Sequence, residues 1–205
     1  VVEPVNAEEI VRRALLLRVA EAIDTASADL PVLRDVDGPA FPLQWCDHGG
    51  EGIPVLLLHG FTRAAASWNA VRRLTGNRRI ITLDLMGHGS SPLPDAMEHA
   101  EAWTLAGASA SIDDMLRLLG IERVHLAGYS LGARTALSCA LAFPDRLASL
   151  ALISGNPGIE DAGSREARRV ADEVLADSIE HGGLDRFVRA WGTLPLFRTQ
   201  MQSHP

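Results

Sequence analysis

Apolar positions along this chain fall into two alternating patterns. Short apolar runs bounded by turn residues predict strands, and the continuous run Ile53–Leu58, ending at His59-Gly60, reads as one buried on both faces. Longer stretches with apolar residues three and four apart predict helices. Together they give strands over Phe41–Cys46, Ile53–Leu58, Arg79–Leu85, Arg123–Ala127 and Leu147–Ser154. Helices are predicted over Ser67–Leu74, Thr104–Leu119 and Leu131–Ala142. This alternation implies a mostly parallel sheet with helices on both faces.

The two ends depart from that pattern. Residues 6–26 read as an amphipathic helix, with Ile10, Ala14, Leu17 and Ala20 at helical spacing and Glu8 and Glu9 at its positive end. It reads as a surface-packed extension, with partner binding as the other reading. After Ser154 no strand is predicted. A charged helix over Ser164–Glu180 ends at Gly182-Gly183, and a second over Leu184–Trp191 ends before Pro195. We read the chain as an N-terminal helical extension (1–37), an α/β core (38–158) and a helical cap segment (159–205).

Composition narrows the function classes. The chain has 205 residues, 47% apolar and 22% charged, an ordinary globular balance for one domain. Its net charge of −7 argues against a nucleic-acid partner, while leaving room for a local basic site for a small anion. No apolar run approaches the ~20 residues of a membrane span, so no membrane partner is expected. Charges at Glu8, Glu9, Arg12, Arg13 and Arg18 interrupt any signal-like apolar region. Cys46 and Cys139 lack metal-ligand spacing and read as buried, reduced thiols, which makes the cytoplasm the expected compartment.

The chemistry centres on Gly128-Tyr129-Ser130-Leu131-Gly132, set between an apolar strand and an apolar helix. Small flanking residues let the backbone turn sharply there, exposing a serine hydroxyl at a helix N-terminus. His59-Gly60-Phe61-Thr62 follows the first buried strand, where one backbone donor of an oxyanion hole is expected. We assign the two donors to the N–H groups of Phe61 and Leu131. Arg134 follows Ser130 by one helical turn, within reach of the site mouth. His59 and His88 sit in turns and read as braces.

The HGFT, DLMGHGSS and GYSLGAR segments together resemble the α/β-hydrolase superfamily. The run Ile153–Ile159, and the cap from Ser164-Arg165-Glu166-Ala167-Arg168-Arg169 through Trp191 to Leu194–Phe197, are similar to one family within it. That family is the 2-succinyl-6-hydroxy-2,4-cyclohexadiene-1-carboxylate synthases of menaquinone biosynthesis. The resemblance covers about residues 38–200. Asn156 stands where that family more often has His, and Ala133 where Gly is common.

This resemblance implies an α/β-hydrolase fold with a helical cap and a lyase eliminating pyruvate from an enolpyruvyl cyclohexene. Ser130 would be a triad-linked base, with no metal or organic cofactor. The implied partner is a small polycarboxylate bound by Arg134 and Arg168, with Tyr129 and Trp191 also matching family site positions. Ion pairing is the structural alternative for both arginines, and packing for Tyr129 and Trp191. The order in this fold is Ser, acid, His. Only His181 and His204 follow Ser130, and neither follows a strand. The acid and base are therefore expected beyond Pro205, over roughly 50–60 further residues. Two other readings stand beside the lyase: a serine carboxylester or C–C hydrolase, and an inactive fragment or noncatalytic binding protein. An open sheet edge is expected to make the 205-residue chain poorly soluble or inactive.

Overall fold

The computed structural model describes residues 43–93 and 100–194. The predicted helix over 6–26, Phe41 and Pro42 of the first strand, Pro195 and His204 lie outside the described residues.

Among the described residues five strands form one sheet: β1 (Trp45–Asp47), β2 (Glu51–Leu58), β3 (Arg78–Leu83), β4 (Val124–Tyr129) and β5 (Leu147–Ile153), in the order β1-β3-β2-β4-β5. β3, β2, β4 and β5 run parallel, and β1 is antiparallel to β3 at one edge. The central strand is the one with the continuous apolar run, because a parallel strand between two neighbours must shed water from both faces. Leu56 and Leu58 are fully enclosed.

Helix α1 (Asn69–Arg72) is shorter than predicted and follows a 3-10 turn over Ala65–Trp68. Its end is marked by the Thr75 hydroxyl donating to Arg72 O at 2.7 Å, and the chain then turns at Gly76 with φ 64°. Helix α2 (Leu105–Leu118) begins as predicted at Thr104, whose hydroxyl oxygen accepts from Gly107 N–H. Helix α3 (Leu131–Ala142) matches its predicted span. Helices α2 and α3 pack together, and α3 lies on β4 and β5. Val124 and Leu126 of β4 join Ile112, Met115 and Leu116 of α2 in the main core. Trp68 and Ile80 form a smaller cluster on Leu57, with Ala127 and Tyr129 packed against it.

Arg146 secures the turn entering β5, donating to Ile121 O at 2.8 Å and pairing with Asp113 of α2 at 2.5 Å. Among the described residues two helices follow β5: α4 (Ala162–Gly182) and α5 (Leu184–Gly192). They pack on each other through Ile179 and Phe187, and Phe61 joins that cluster. No helix among the described residues is long and apolar enough to cross a membrane.

The chain runs from β2 outward to β3, then returns to place β4 on the other side of β2. Ligand crevices in open α/β sheets form at such a reversal, outside the carboxyl ends of the strands. The loops at this reversal carry Phe61 and Ser130.

The core sets a measurable expectation. Leu58→Ala should cost about 2–5 kcal/mol by removing fully buried atoms from the sheet centre. A urea midpoint shift at constant slope checks this.

Candidate functional site

Ser130 joins β4 to α3 at φ 52° and ψ −107°, a conformation that costs a non-glycine residue roughly 1–3 kcal/mol. Its neighbours leave no easier path. A Cβ on Gly128 would lie 2.1 Å from Gly132 O, and one on Gly132 would lie 2.3 Å from Leu58 O. The turn can therefore close against β2 only with glycine at both positions. Ser130 N–H donates to Ile153 O at 2.9 Å, tying the turn to the end of β5. Arg134 N–H donates to Ser130 O at 3.1 Å, which starts the helix. Leu131 opens α3, so its N–H has no acceptor within the helix.

The His59–Thr62 loop lies against this turn. A Cβ on Gly60 would lie 2.9 Å from the Tyr129 ring and 3.4 Å from Ser130 Cβ. Tyr129, Ser130 and the loop holding Phe61 thus share one end of the sheet. Arg63 N–H donates to Gly60 O at 3.1 Å, closing the loop, while Thr62 adopts φ 65°.

His59 and His88 are braces. His59 Nδ1–H donates to Gly60 O at 2.8 Å, and Nε2 accepts from Leu85 N–H at 2.9 Å. His88 Nδ1–H donates to Met86 O at 3.0 Å. Burial holds the pKa of His59 down to about 4 and that of His88 down to about 3, so both are neutral near pH 7. Their rings lie 5.0 Å apart, and His88 also meets Phe61 edge-on.

Asp84 is a role the sequence reading passed over. Its carboxylate accepts from Ala65 N–H at 2.7 Å and Ser90 N–H at 2.9 Å, joining the loops after β2 and β3. Burial pushes its pKa up, against the pull of those two donors. The signal lay in its position at the strand end ahead of Gly87 and Gly89. A Cβ on Gly89 would overlap the carboxylate at 2.1 Å.

The cap reaches the site through aromatic rings. Trp191 stands edge-on to Phe61 at 5.6 Å, Phe187 lies 6.3 Å from Phe61, and Phe187 lies 5.3 Å from Trp191. Phe187 was not singled out from the sequence, because an aromatic on an amphipathic helix gives no sign of which loop it covers.

The two arginines differ. Arg168 pairs with Asp172 at 2.7 Å on its own helix, and its side chain is 62% exposed. Half-buried Arg134 makes no side-chain hydrogen bond or ion pair among the described residues. It leaves a guanidinium available one turn from Ser130. Asn156 forms an Asx turn by accepting from Gly158 N–H at 2.8 Å. Ala133 packs where a Cβ on Gly155 would lie 2.7 Å from its methyl group. Among the described residues no imidazole or carboxylate is hydrogen-bonded to Ser130 Oγ, and no cluster of His, Cys, Asp and Glu is placed to hold a metal. Cys46 and Cys139 are free and buried, and burial raises the Cys139 thiol pKa to about 12.

A family model described as the alpha/beta hydrolase fold matches residues 53–180. A Bacillus subtilis protein, provisionally named a 2-succinyl-6-hydroxy-2,4-cyclohexadiene-1-carboxylate synthase, is 36% identical over 148 residues, 72% of this chain and 53% of its own length. The Klebsiella pneumoniae protein named as that synthase is 31% identical, over 74% of this chain and 58% of its own. The structure of MenH from S. aureus superposes with a TM-score of 0.67 at 28% identity, over 77% of this chain and 59% of that one. The chain thus spans a little over half the length of these relatives.

Two outcomes are expected. Gly132→Ala should abolish soluble, folded protein or cost several kcal/mol, because the added methyl meets backbone at β2; circular dichroism and denaturant titration check this. The depressed histidines set a pH dependence. Their folded pKa values lie below the unfolded 6.5, so the unfolded chain binds more protons and stability falls on acidification from about pH 6.5 towards 4. Each group contributes up to about 1.4 kcal/mol per pH unit in that window. Urea midpoints from pH 7 to 5 should drop, and His88→Asn should flatten the slope.

Proposed function

The chain belongs to the α/β-hydrolase-fold family, and from that premise we propose that it carries the reactive serine, oxyanion loop and cap of a pyruvate-eliminating lyase. The substrate is 2-succinyl-5-enolpyruvyl-6-hydroxy-3-cyclohexene-1-carboxylate and the product is 2-succinyl-6-hydroxy-2,4-cyclohexadiene-1-carboxylate. The observation that carries this reading is Arg134: a half-buried guanidinium, unpaired among the described residues, one turn from Ser130. A simple ester gives such a group nothing to bind, whereas a substrate with three carboxylates does. The resemblance to synthases on both sequence and structure supports the same choice.

The chemistry follows from the substrate's own bonds. Ser130, its proton held by a partner imidazole, removes the hydrogen from ring C2. That C–H pair becomes the C2=C3 bond, the C3=C4 pair shifts to C4=C5, and the C5–O bond breaks. Pyruvate leaves as its enolate and is then protonated. No acyl-enzyme forms. The N–H groups of Phe61 and Leu131 are suited to the negative charge that develops on oxygen, each worth roughly 3 kcal/mol of barrier. Arg134 holds a carboxylate at the mouth. Tyr129 and Trp191 wall the ring-binding space. Arg168 contributes only after leaving Asp172, which its exposure permits at small cost.

Pyruvate release from the enolpyruvyl substrate, followed by lactate dehydrogenase coupling, tests the reading. Ser130→Ala should lower the rate by on the order of 10²–10⁴-fold, the range for losing a positioned base. Absence of pyruvate, with burst release of alcohol from an activated ester and acylated Ser130, would instead mark a hydrolase.

A further inference from the structure

We propose that Ser154 is a ligand-binding residue of the Ser130 site, its hydroxyl donating to a carboxylate oxygen of the molecule that lies over the elbow. The placement of Ser154 stands on the backbone alone; the carboxylate rests on the function proposed above.

Backbone strain marks the position. Among the described residues three non-glycine residues have positive φ: Thr62 at 65°, Ser130 at 52° and Ser154 at 53°. They follow β2, β4 and β5, which are neighbours in the sheet, and all three lie at its carboxyl end. Glycine takes up this conformation freely, and asparagine visits it readily. Serine keeps it only where the surroundings enforce it, and such enforced strain gathers at functional sites. At Ser130 the strain presents a hydroxyl at the end of β4. Ser154 repeats that arrangement one strand away.

Contacts on both sides hold Ser154 in place. Ahead of it, Ile153 O accepts from Ser130 N–H at 2.9 Å. Behind it, Gly155 lies against α3, where an added Cβ would stand 2.7 Å from the Ala133 methyl. Further on, Asn156 Oδ1 accepts from Gly158 N–H, and the Arg165 guanidinium donates to Ile159 O at 2.8 Å and Glu160 O at 2.6 Å. The turn at Ser154 cannot relax without parting from Ser130 or from α3.

Register then sets the distance. Tyr129 pairs with Ile153, so Ser130 and Ser154 leave their strands side by side. Neighbouring strands lie about 4.8 Å apart. A ligand oxygen about 2.8 Å from one hydroxyl therefore belongs to a group within hydrogen-bonding reach of the other. Ser154 is exposed, and its hydroxyl makes no hydrogen bond among the described residues. A hydroxyl in that state is free to donate to a carboxylate. Arg134, next to Ala133 in the first turn of α3, supplies the charge that a hydroxyl lacks.

The test is titration calorimetry on Ser130→Ala protein, with Ser154→Ala and Ser154→Gly added in turn. Alanine removes the hydroxyl and keeps the strain; glycine removes both. Binding of the enolpyruvyl substrate should fall at least about 5-fold in both variants. The urea midpoint should be no lower for Ser154→Gly than for Ser154→Ala, because glycine takes the positive φ without strain. A residue that only shapes the turn would behave otherwise, with Ser154→Gly binding as tightly as serine. That result, or unchanged binding in both variants, overturns the proposal. Citrate, a tricarboxylate without the ring or the enol ether, is titrated in the same series. Citrate binding that needs Ser154, with no binding of the enolpyruvyl substrate, would keep the Ser154 site and remove the lyase substrate. Citrate bound equally by all three proteins in that case, or no binding of either ligand, would remove both.

Discussion

The structure turns on one close contact: the first turn of α3 pressed against the carboxyl end of β2. Gly132 touches the Leu58 and His59 carbonyls, and Gly128 faces Gly132 across the turn. With no side chain at either position, the chain turns from strand to helix within one residue, and that residue is Ser130. The cost of its positive φ is of the order of 1–3 kcal/mol, small beside the buried core of β2 and β4 that enforces it. Loosening this contact would move the serine, the helix N-terminus and the Phe61 loop together.

Around that contact, two loops are stitched by groups that do no chemistry. Asp84 holds the loops after β2 and β3 by their amides, and His59 ties its own loop to Leu85. Both side chains are out of water and fully engaged, which separates bracing from reactivity. The cap then rests its aromatic underside on Phe61. The loop expected to supply an oxyanion donor is thus fixed from below by hydrogen bonds and from above by ring packing.

Much of this was legible in the sequence. The span of α3, the start of α2 at Thr104 and the run that becomes the central strand followed from periodicity and end signals, because local chemistry decides them. The elbow was legible because only glycine tolerates its contacts. Other features depend on tertiary placement. The antiparallel direction of β1 is set by its pairing with β3, and the end of α1 by a threonine that has first to turn inward. Arg134 and Arg168, by contrast, differ in a local signal that the sequence does hold: whether an acid sits one turn away on the same helix. Asp172 provides that for Arg168, while nothing does so for Arg134. The role of Asp84 was hidden because its partners are backbone amides 19 and 6 residues away.

The proposed function requires the end of the sheet to be an anion site as much as a serine site. A titration calorimetry series tests that most directly, with the enolpyruvyl substrate added to Ser130→Ala protein with and without Arg134→Ala. One-to-one binding that weakens with salt and falls at least about 10-fold on losing Arg134 is expected, as a charge-assisted hydrogen bond of roughly 1.5–3 kcal/mol requires. Equal binding by the two proteins, insensitive to salt, would contradict it.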